Sequence, residues 1–247
     1  MRIDRPENSH IPALRQLWQE AFGDSDAFLD SFFRLGFGKD RSLCVFEGEP
    51  VAAVYWFHCR ANGQKIAYLY GLATKKSHRG RGLARQLLEE AMSVLKKEGY
   101  AGALLVPAEP ELFKMYEKMG FVHTLTVDTF TAEARPKALL WRVSPEEYAA
   151  IRRRKLPAGG VEQENMEFLA SFCGLFAGEG CLLAANIEGG HLTAMEFLGD
   201  RADAPGILWA LGAKTGTFRT VGTGTPFALY RPITQDPAPT YFAIAFD

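Results

Sequence analysis

The hydrophobic positions of the first residues repeat at helical spacing. A helix is predicted over residues 11–22, where Leu14, Leu17 and Trp18 begin an apolar stripe on one face. A short acidic turn follows, and residues 26–35 repeat the same spacing. The chain therefore begins with two predicted amphipathic helices.

The pattern then changes to one typical of β-strands. Residues 43–46 and 51–57 are apolar runs separated by a Glu-Gly-Glu-Pro turn. The dipeptide Asn62-Gly63, a strong hairpin signal, precedes a third run at residues 66–74. These three runs predict an antiparallel meander.

Helices and strands alternate in the next segment. A helix over residues 82–97 is followed by a short apolar strand at residues 101–106. A further helix is predicted over residues 110–120, with proline at its start and glycine at its end, and residues 121–130 alternate as a strand. The predicted order is α-α-β-β-β-α-β-α-β, a mixed α/β (α+β) sheet with one helical crossover.

The second half of the chain repeats apolar blocks of the first half. Three pairs of blocks match: residues 2–18 with 141–156, 41–57 with 179–198 and, faintly, 111–121 with 225–233. The last two blocks are closer together in the second copy, so the segment that separates them in the first copy is missing there. The pattern predicts a tandem duplication, with a first domain over residues 1–131 and a smaller, degenerate domain over residues 132–247. Two unrelated α/β units that share a generic pattern are the alternative.

The composition is that of an ordinary globular protein, with 47% hydrophobic and 23% charged residues. A net charge of −1 argues against nucleic acid as the main partner, because binding a phosphate backbone needs a broad cationic surface. The polar N-terminal segment lacks the apolar stretch of a signal peptide, and the apolar runs are too short to span a bilayer. A cytoplasmic protein with no membrane partner is expected.

The cysteines and histidines give no sign of a metal site. The sequence contains no C-x-x-C pair, and the histidines are scattered without the spacing of metal ligands. Each cysteine lies in an apolar segment, which predicts buried, reduced thiols. The four are Cys44, Cys59, Cys173 and Cys181.

A cationic, glycine-containing loop precedes the helix over residues 82–97. Cations at the start of a helix oppose the helix dipole unless an anion is present, and glycines allow the backbone to approach a ligand closely. The loop therefore favours a phosphate or pyrophosphate site, with a solvated basic loop as the alternative. The residues concerned are Lys75, Lys76, Arg79, Gly80, Arg81, Gly82 and Arg85.

Two motifs of the first 130 residues resemble those of the GNAT superfamily of N-acetyltransferases. The stretch Arg-Gly-Arg-Gly-Leu-Ala at residues 79–84 fits the signature (Gln/Arg)-x-x-Gly-x-(Gly/Ala). The stretch LFKMYEKMGF at residues 112–121 resembles the tyrosine-bearing helix of that family and its Y-x-x-x-G-F ending. The order of the predicted elements is also similar.

The resemblance implies the GNAT acyl-CoA N-acyltransferase fold and acetyl-CoA as cosubstrate. The end of the third strand would hold the pantetheine arm through main-chain groups, and the loop would hold the pyrophosphate. The first set is Leu72, Ala73 and Thr74, and the second is Arg79, Gly80, Arg81, Gly82, Leu83 and Ala84.

The resemblance also implies catalytic roles. The third strand would splay away from the strand at residues 101–106, and a backbone N–H near Leu72 would stabilise the oxyanion of the tetrahedral intermediate. Tyr116 would protonate the departing thiolate, although an aromatic residue on an amphipathic helix is also typical of a core.

No motif identifies the general base. The nearby candidates are His58, Tyr68, Tyr70, Glu109 and Glu111. The segment VPAEPEL departs from the family pattern, in which an asparagine often follows the strand.

The function expected from the resemblance is transfer of an acetyl group from acetyl-CoA to a primary amine, carried by a small molecule or a peptide. The alternative is a non-catalytic acyl-CoA-binding or interaction module. The second domain lacks the loop and is not expected to bind the cofactor. A monomer or a homodimer is expected, without nucleic acid, membrane or metal.

Overall fold

Two compact units make up the chain in the computed structural model, which describes residues 1–135 and 139–246. The first unit comprises Met1–Val122 and Tyr230–Asp236, and the second comprises His123–Leu229 and the residues from Pro237 onward. The predicted boundary at residue 131 lies inside a strand of the second unit.

The first unit has the predicted order of helices and strands up to the helix that begins at Pro110, preceded by one short extra strand. In chain order its elements are β1 (Arg2–Asp4), α1 (Ile11–Phe22), α2 (Asp26–Ser31), β2 (Ser42–Glu47), β3 (Glu49–Ala61), β4 (Gln64–Thr74), α3 (Leu83–Lys97), β5 (Gly102–Leu105) and α4 (Pro110–Glu117). Strands β2, β3 and β4 form the predicted antiparallel meander, with β1 antiparallel to β2. Strand β5 is parallel to β4, and α3 crosses between them.

The second predicted helix is shorter than expected. It ends at Ser31, and the chain continues as a π-helical turn over Phe32–Gly36, closed by a hydrogen bond from the Phe37 N–H to the Phe32 carbonyl (2.8 Å). The turn places the buried ring of Phe32 against Trp18, with centroids 4.5 Å apart. Packing of a large aromatic side chain therefore accompanies the change of helix type.

The second unit begins with the strand that the sequence assigned to the first domain. Its elements are β6 (His123–Glu133), β7 (Leu140–Arg142), α5 (Pro145–Lys155), β8 (Glu162–Gln163), α6 (Met166–Ala170), β9 (Gly174–Gly178), β10 (Leu182–Glu188), β11 (His191–Leu198), α7 (Ala204–Ala210), β12 (Thr215–Val221) and β13 (Thr225–Pro232), whose last residues belong to the first unit. Strand β6 pairs with β12 in antiparallel orientation.

The strand pairing of the second unit follows the pattern of the first. Strands β7, β9, β10 and β11 pair successively in antiparallel orientation, as β1 to β4 do. Strand β12 is parallel to β11, with α7 between them, as β5 is parallel to β4 with α3 between them. By order and direction, α5 therefore corresponds to α1, β11 to β4 and β12 to β5.

This correspondence corrects two of the block matches. Residues 41–57 form β2 and β3, whereas residues 179–198 include β10 and β11. Because β10 and β11 are the counterparts of β3 and β4, the match is shifted by one strand. Residues 110–117 are helical and residues 225–232 form a strand, so the third match is wrong. The segment between β11 and β12 is shortened rather than missing, since it keeps α7.

A buried ion pair lies in the second unit. Arg152 of α5 and Glu196 of β11 are 2% and 0% exposed, and two N–H···O contacts of 2.6 and 2.9 Å join them. A third guanidinium nitrogen donates to the Val161 carbonyl (2.8 Å). Bidentate geometry and the extra acceptor compensate for taking both charges out of water.

The cysteines are free and buried, as predicted. Burial raises the pKa of the Cys44 and Cys173 thiols to about 12. Among the described residues, no group of three or more His, Cys, Asp or Glu side chains could hold a metal ion. No helix of the described ranges is both long and apolar enough to span a bilayer.

Candidate active site

A β-bulge interrupts β4 close to its end. Ala73 lies opposite Ala53 and Tyr70 opposite Tyr55, so Gly71 and Leu72 together face the single residue between these partners on β3. Gly71 has a φ of 59°, and a Cβ at this position would lie 2.6 Å from the Trp18 ring. A bulge takes backbone groups out of the regular ladder, so this part of β4 offers main-chain groups to a ligand.

Strands β4 and β5 pair only over the first part of β4. The parallel register runs from Ile66 opposite Gly102 to Tyr68 opposite Leu104, and β5 ends one residue later. Strand β4 continues to Thr74, so the bulge and the end of β4 extend beyond this ladder. The part of β4 that is not paired with β5 lies where the family resemblance implies that the two strands splay apart.

The loop after β4 presents a run of unpaired backbone N–H groups. The N–H groups of residues 80–85 donate to no described residue, and the first bond of α3 runs from Gln86 N–H to the Gly82 carbonyl (3.1 Å). Gly80 and Gly82 have φ values of 77° and 74°, a conformation that disfavours other residues. The 15-residue helix α3 adds the positive end of its dipole. The arrangement suits an anion with several oxygen atoms.

A cavity of about 490 Å³ lies beside this loop and joins the predicted site residues. Eight of the nine predicted cofactor-binding residues line the cavity, and so does Tyr116. The remaining lining residues come from the ends of α1 and α4, from the loop and from the first turn of α3. These are Ala21, Phe22, His78, Arg85, Leu112, Met115 and Met119.

Arg81 is the predicted residue that does not line the cavity. Its guanidinium forms two hydrogen bonds with the Glu47 carboxylate, 3.2 and 2.5 Å long. These bonds lower the pKa of Glu47, and His78 Nε2 lies 3.5 Å from the same carboxylate. The Arg81 side chain is therefore directed to β2, while its backbone N–H remains part of the unpaired run.

Thr74 and Arg79 connect the end of β4 to the loop. The Arg79 side chain donates from Nε to the Thr74 carbonyl (3.1 Å). The Thr74 hydroxyl is buried and has no hydrogen-bond partner among the described residues. A buried, unpaired hydroxyl in a residue that lines the cavity fits a polar group of a ligand.

Tyr116 lies on α4 with 8% of its surface exposed. Its ring makes an edge contact with Phe121, with centroids 6.0 Å apart, and its hydroxyl bonds to no described residue. Burial raises the pKa of the phenol to about 12. The hydroxyl is therefore protonated at neutral pH and can donate a hydrogen bond or a proton to a ligand.

None of the five base candidates lines the cavity. The Tyr100 hydroxyl bonds to His58 Nδ1, and Tyr68 and Tyr70 belong to an aromatic cluster on β3 and β4. Glu109 and Glu111 are exposed at the start of α4. The cavity wall therefore provides no base from this set.

Several lining residues escaped the sequence interpretation. Leu112 and Met115 lie on α4 with Tyr116, and Met119 lies in the turn that follows, so the position of the tyrosine could have indicated them. The sequence does not indicate that Phe22 lines the cavity, because its position continues the apolar stripe of α1 and is typical of a core residue.

Comparisons with known proteins agree with this architecture. Residues 2–124 match the family model described as an acetyltransferase (GNAT) domain. A comparison with curated protein sequences found no match.

Solved structures resemble the chain over most of its length. A GCN5-related N-acetyltransferase from Kribbella flavida superposes with a TM-score of 0.68 at 15% identity, covering 94% of this chain and 71% of that one. Another from Anabaena variabilis gives 0.69 at 10% identity, covering 94% and 72%. Eis1 from Mycobacterium abscessus gives 0.65 at 14% identity, covering 94% and 74%. At such identities the likeness concerns the fold, and it is the family model that identifies the domain. Residues 2–124 of this chain therefore belong to the GNAT acetyltransferase family.

Proposed function

We propose that the first unit is an N-acetyltransferase that moves an acetyl group from acetyl-CoA to a primary amine by direct attack. The observation that carries the proposal is the run of unpaired N–H groups at residues 80–85, beside the cavity that Tyr116 also lines. One cavity thus combines an anion site with a protonated phenol.

The residues around the cavity fit the parts of acetyl-CoA. The backbone of residues 79–84 would hold the pyrophosphate, with the positive end of the α3 dipole behind it. Main-chain groups of residues 72–74 would pair with the pantetheine arm, and the Thr74 hydroxyl would gain a partner. The apolar side chains of Leu112, Met115 and Met119 suit the hydrocarbon part of the arm.

Acetyl-CoA supplies an activated thioester to this site when it is bound. In the reaction the amine nitrogen bonds to the carbonyl carbon, the carbon–sulfur bond breaks, and the amine loses a proton to a base or to solvent. The backbone N–H near Leu72, at the bulge, would donate to the oxyanion. Because the bulge is fixed by the packing of Gly71 against Trp18, this donor is positioned before the reaction.

Tyr116 would act on the leaving sulfur. A thiol has a pKa of about 8.5, so complete transfer from a phenol with a pKa of about 12 is uphill by roughly 5 kcal/mol. Burial therefore makes Tyr116 a weaker acid than an exposed tyrosine, while keeping its proton in place. We assign it to donate a hydrogen bond as charge develops on sulfur, with the proton following as the bond breaks.

Release of free thiol from acetyl-CoA across a panel of primary amines tests the proposal. Tyr116→Phe should remove most amine-dependent release without weakening acetyl-CoA binding. Tyr100→Phe is the matched control, because Tyr100 is buried but bonds to His58 and does not line the cavity. Thermal stabilisation by acetyl-CoA with no turnover on any amine would instead favour the alternative function, a non-catalytic acyl-CoA-binding or interaction module.

We also propose that the second unit is a degenerate GNAT-like domain that arose by duplication and does not bind acyl-CoA. The shared order and direction of five strands support this proposal. Its crossover helix α7 has seven residues where α3 has 15, and the loop before α7 lacks the Gly-x-Gly pattern. An experimental structure whose second unit did not superpose on β1 to β5 would contradict the duplication.

A further inference from the structure

A second, smaller cavity lies in the second unit. It has a volume of about 270 Å³ and is lined by Lys155, Leu198, Gly199, Arg201, Thr220 and Val221. These residues belong to the end of α5, the end of β11 and the loop after it, and the end of β12. The counterparts of α5 and β11 in the first unit, α1 and β4, contribute their own ends to the candidate active site.

The position relative to the strands is also shared. Ala185 faces Ala194 and Ala184 faces Glu196, which leaves Met195 as a bulge of β11. Strand β11 ends at Leu198, shortly after this bulge, as β4 ends shortly after the bulge at Gly71 and Leu72. The smaller cavity thus lies at the carboxyl ends of two parallel strands, where α/β sheets commonly bind ligands.

Lys155 gives this cavity a positive charge. Its ammonium donates to the Gly180 carbonyl (2.6 Å), which leaves two of its three donors for another acceptor. Among the described residues no carboxylate lies within 4.0 Å of its nitrogen. A half-buried lysine with no ion pair in the described residues, placed beside a cavity, favours an anionic occupant.

Arg201 adds a second cation. It bonds to the Asp128 carboxylate (2.5 Å), which also accepts from the Gly224 N–H (2.8 Å). These hydrogen bonds, the one from Gly224 first, lower the pKa of Asp128. The Asp128 carboxylate thus has a second donor in the Gly224 N–H. The guanidinium N–H groups of Arg201 that do not bond to Asp128 can therefore donate to a ligand.

Thr220 supplies a hydroxyl. The residue is 5% exposed, lines the cavity and forms no side-chain hydrogen bond to a described residue. The nearby acidic residues Asp200 and Asp203 do not line the cavity, and Asp200 accepts from the Ala202 N–H (2.9 Å). In the part of the chain that the structure describes, the polar side chains of the cavity wall are therefore two cations and one hydroxyl.

We propose that this cavity is a binding site for a small phosphate, either inorganic phosphate or a small phosphate ester. Lys155, Arg201 and Thr220 are the ligand-binding side chains. The cavity is about half the volume of the one in the first unit, which suits a smaller ligand. The site does not depend on the proposed acetyltransferase activity, since all its residues lie in the second unit.

The test is a titration of the full-length Gly82→Asp variant with inorganic phosphate, followed by calorimetry and thermal unfolding. This background carries a carboxylate at the loop of the first unit, so that phosphate bound there does not obscure the second site. Lys155→Gln and Thr220→Val are added singly. Arg153→Gln is the matched control, because Arg153 lies on the same helix but is exposed and paired with Glu162.

Phosphate should bind to the Gly82→Asp chain, and each of the two added substitutions should weaken binding at least tenfold, whereas Arg153→Gln should leave it unchanged. A parallel titration with glycerol phosphate shows whether the site prefers a phosphate ester or inorganic phosphate, since the preferred ligand binds more tightly. No binding to the Gly82→Asp chain, or equal binding after Lys155→Gln, overturns the proposal. A chain with Lys155→Gln as its only substitution should be stabilised by acetyl-CoA as much as the unsubstituted chain. A failure of the phosphate site is thereby distinguished from a failure of the proposed acetyltransferase function.

Discussion

At the scale of single residues, Gly71 is a position where both the backbone conformation and a close neighbour oppose a side chain. A side chain there meets both a φ of 59° and the Trp18 ring, 2.6 Å from an added Cβ. Gly71→Ala should lower the free energy of unfolding by about 2–4 kcal/mol, through backbone strain and overpacking together.

Gly80→Ala is the control for Gly71→Ala. Gly80 has a φ of 77°, and beyond its chain neighbours no atom of the described residues lies within 4 Å of an added Cβ, so only the backbone strain of about 1 kcal/mol applies. Chemical denaturation of both variants measures the difference. Equal losses would show that the Trp18 ring moves aside without cost and that the bulge is not held by this contact.

Tyr116 has a pH signature that follows from its burial. A general acid must be protonated, and the raised pKa of about 12 keeps the phenol protonated where an ordinary tyrosine, near 10, would begin to ionise. The kcat of the proposed reaction should therefore show no alkaline loss from this group up to pH 10. Tyr116→Phe should lower kcat by roughly 10²-fold at every pH in that range.

The profile of kcat against pH, with a single amine at saturation, checks this prediction. An alkaline limb below pH 10 that disappears in Tyr116→Phe would contradict the raised pKa. An unchanged kcat in the variant would remove Tyr116 from the chemistry.

At the scale of elements, the start of α3 is the proposed pyrophosphate site. Gly82→Asp places a negative charge and a side chain beside the unpaired N–H groups, and it should abolish the thermal stabilisation by acetyl-CoA. Gly48→Asp is a matched control, since Gly48 has a φ of 79°, open space around it and a place in the β2–β3 turn. Stabilisation that survives Gly82→Asp would refute the phosphate assignment.

The elements of the first unit were predictable because their signals are local. The Asn62-Gly63 turn, the glycine–arginine loop and the tyrosine-bearing helix each need only a few neighbouring residues to be recognised. The bulge at Gly71 depends on strand register, and the pairing of Arg81 with Glu47 joins residues 34 positions apart. Neither leaves a pattern in the nearby sequence.

The sequence of the second unit predicts its strand pairing less well, for a related reason. Strand β9 (Gly174–Gly178) is short and bounded by glycines, and the sequence pattern therefore matches the hairpin of β10 and β11 with β2 and β3 instead of β3 and β4. Hairpins with similar glycine turns look alike in sequence, and only the pairing partners distinguish them. The position of Glu196 at the bulge of β11, paired with Arg152, became clear only from that pairing.

At the scale of the whole molecule, the two units predict a stoichiometry. The cavity of the first unit, about 490 Å³, is within the range of small-molecule sites, whereas that of the second, about 270 Å³, is below it. At the bulge of β4, Gly71 of the first unit makes an uncharged contact with Trp18. At the corresponding bulge of β11, the second unit has the buried ion pair of Arg152 and Glu196. One chain should therefore bind one molecule of acetyl-CoA.

Isothermal titration calorimetry of the full-length chain measures that number directly. A stoichiometry of one that falls to zero in Gly82→Asp places the site in the first unit, because this substitution alters α3 and leaves β11 and α7 unchanged. Lys155→Gln should keep a stoichiometry of one, since Lys155 lines only the smaller cavity. Two molecules per chain, or one that persists in Gly82→Asp, would mean that the second unit has kept a coenzyme site in spite of its shortened crossover.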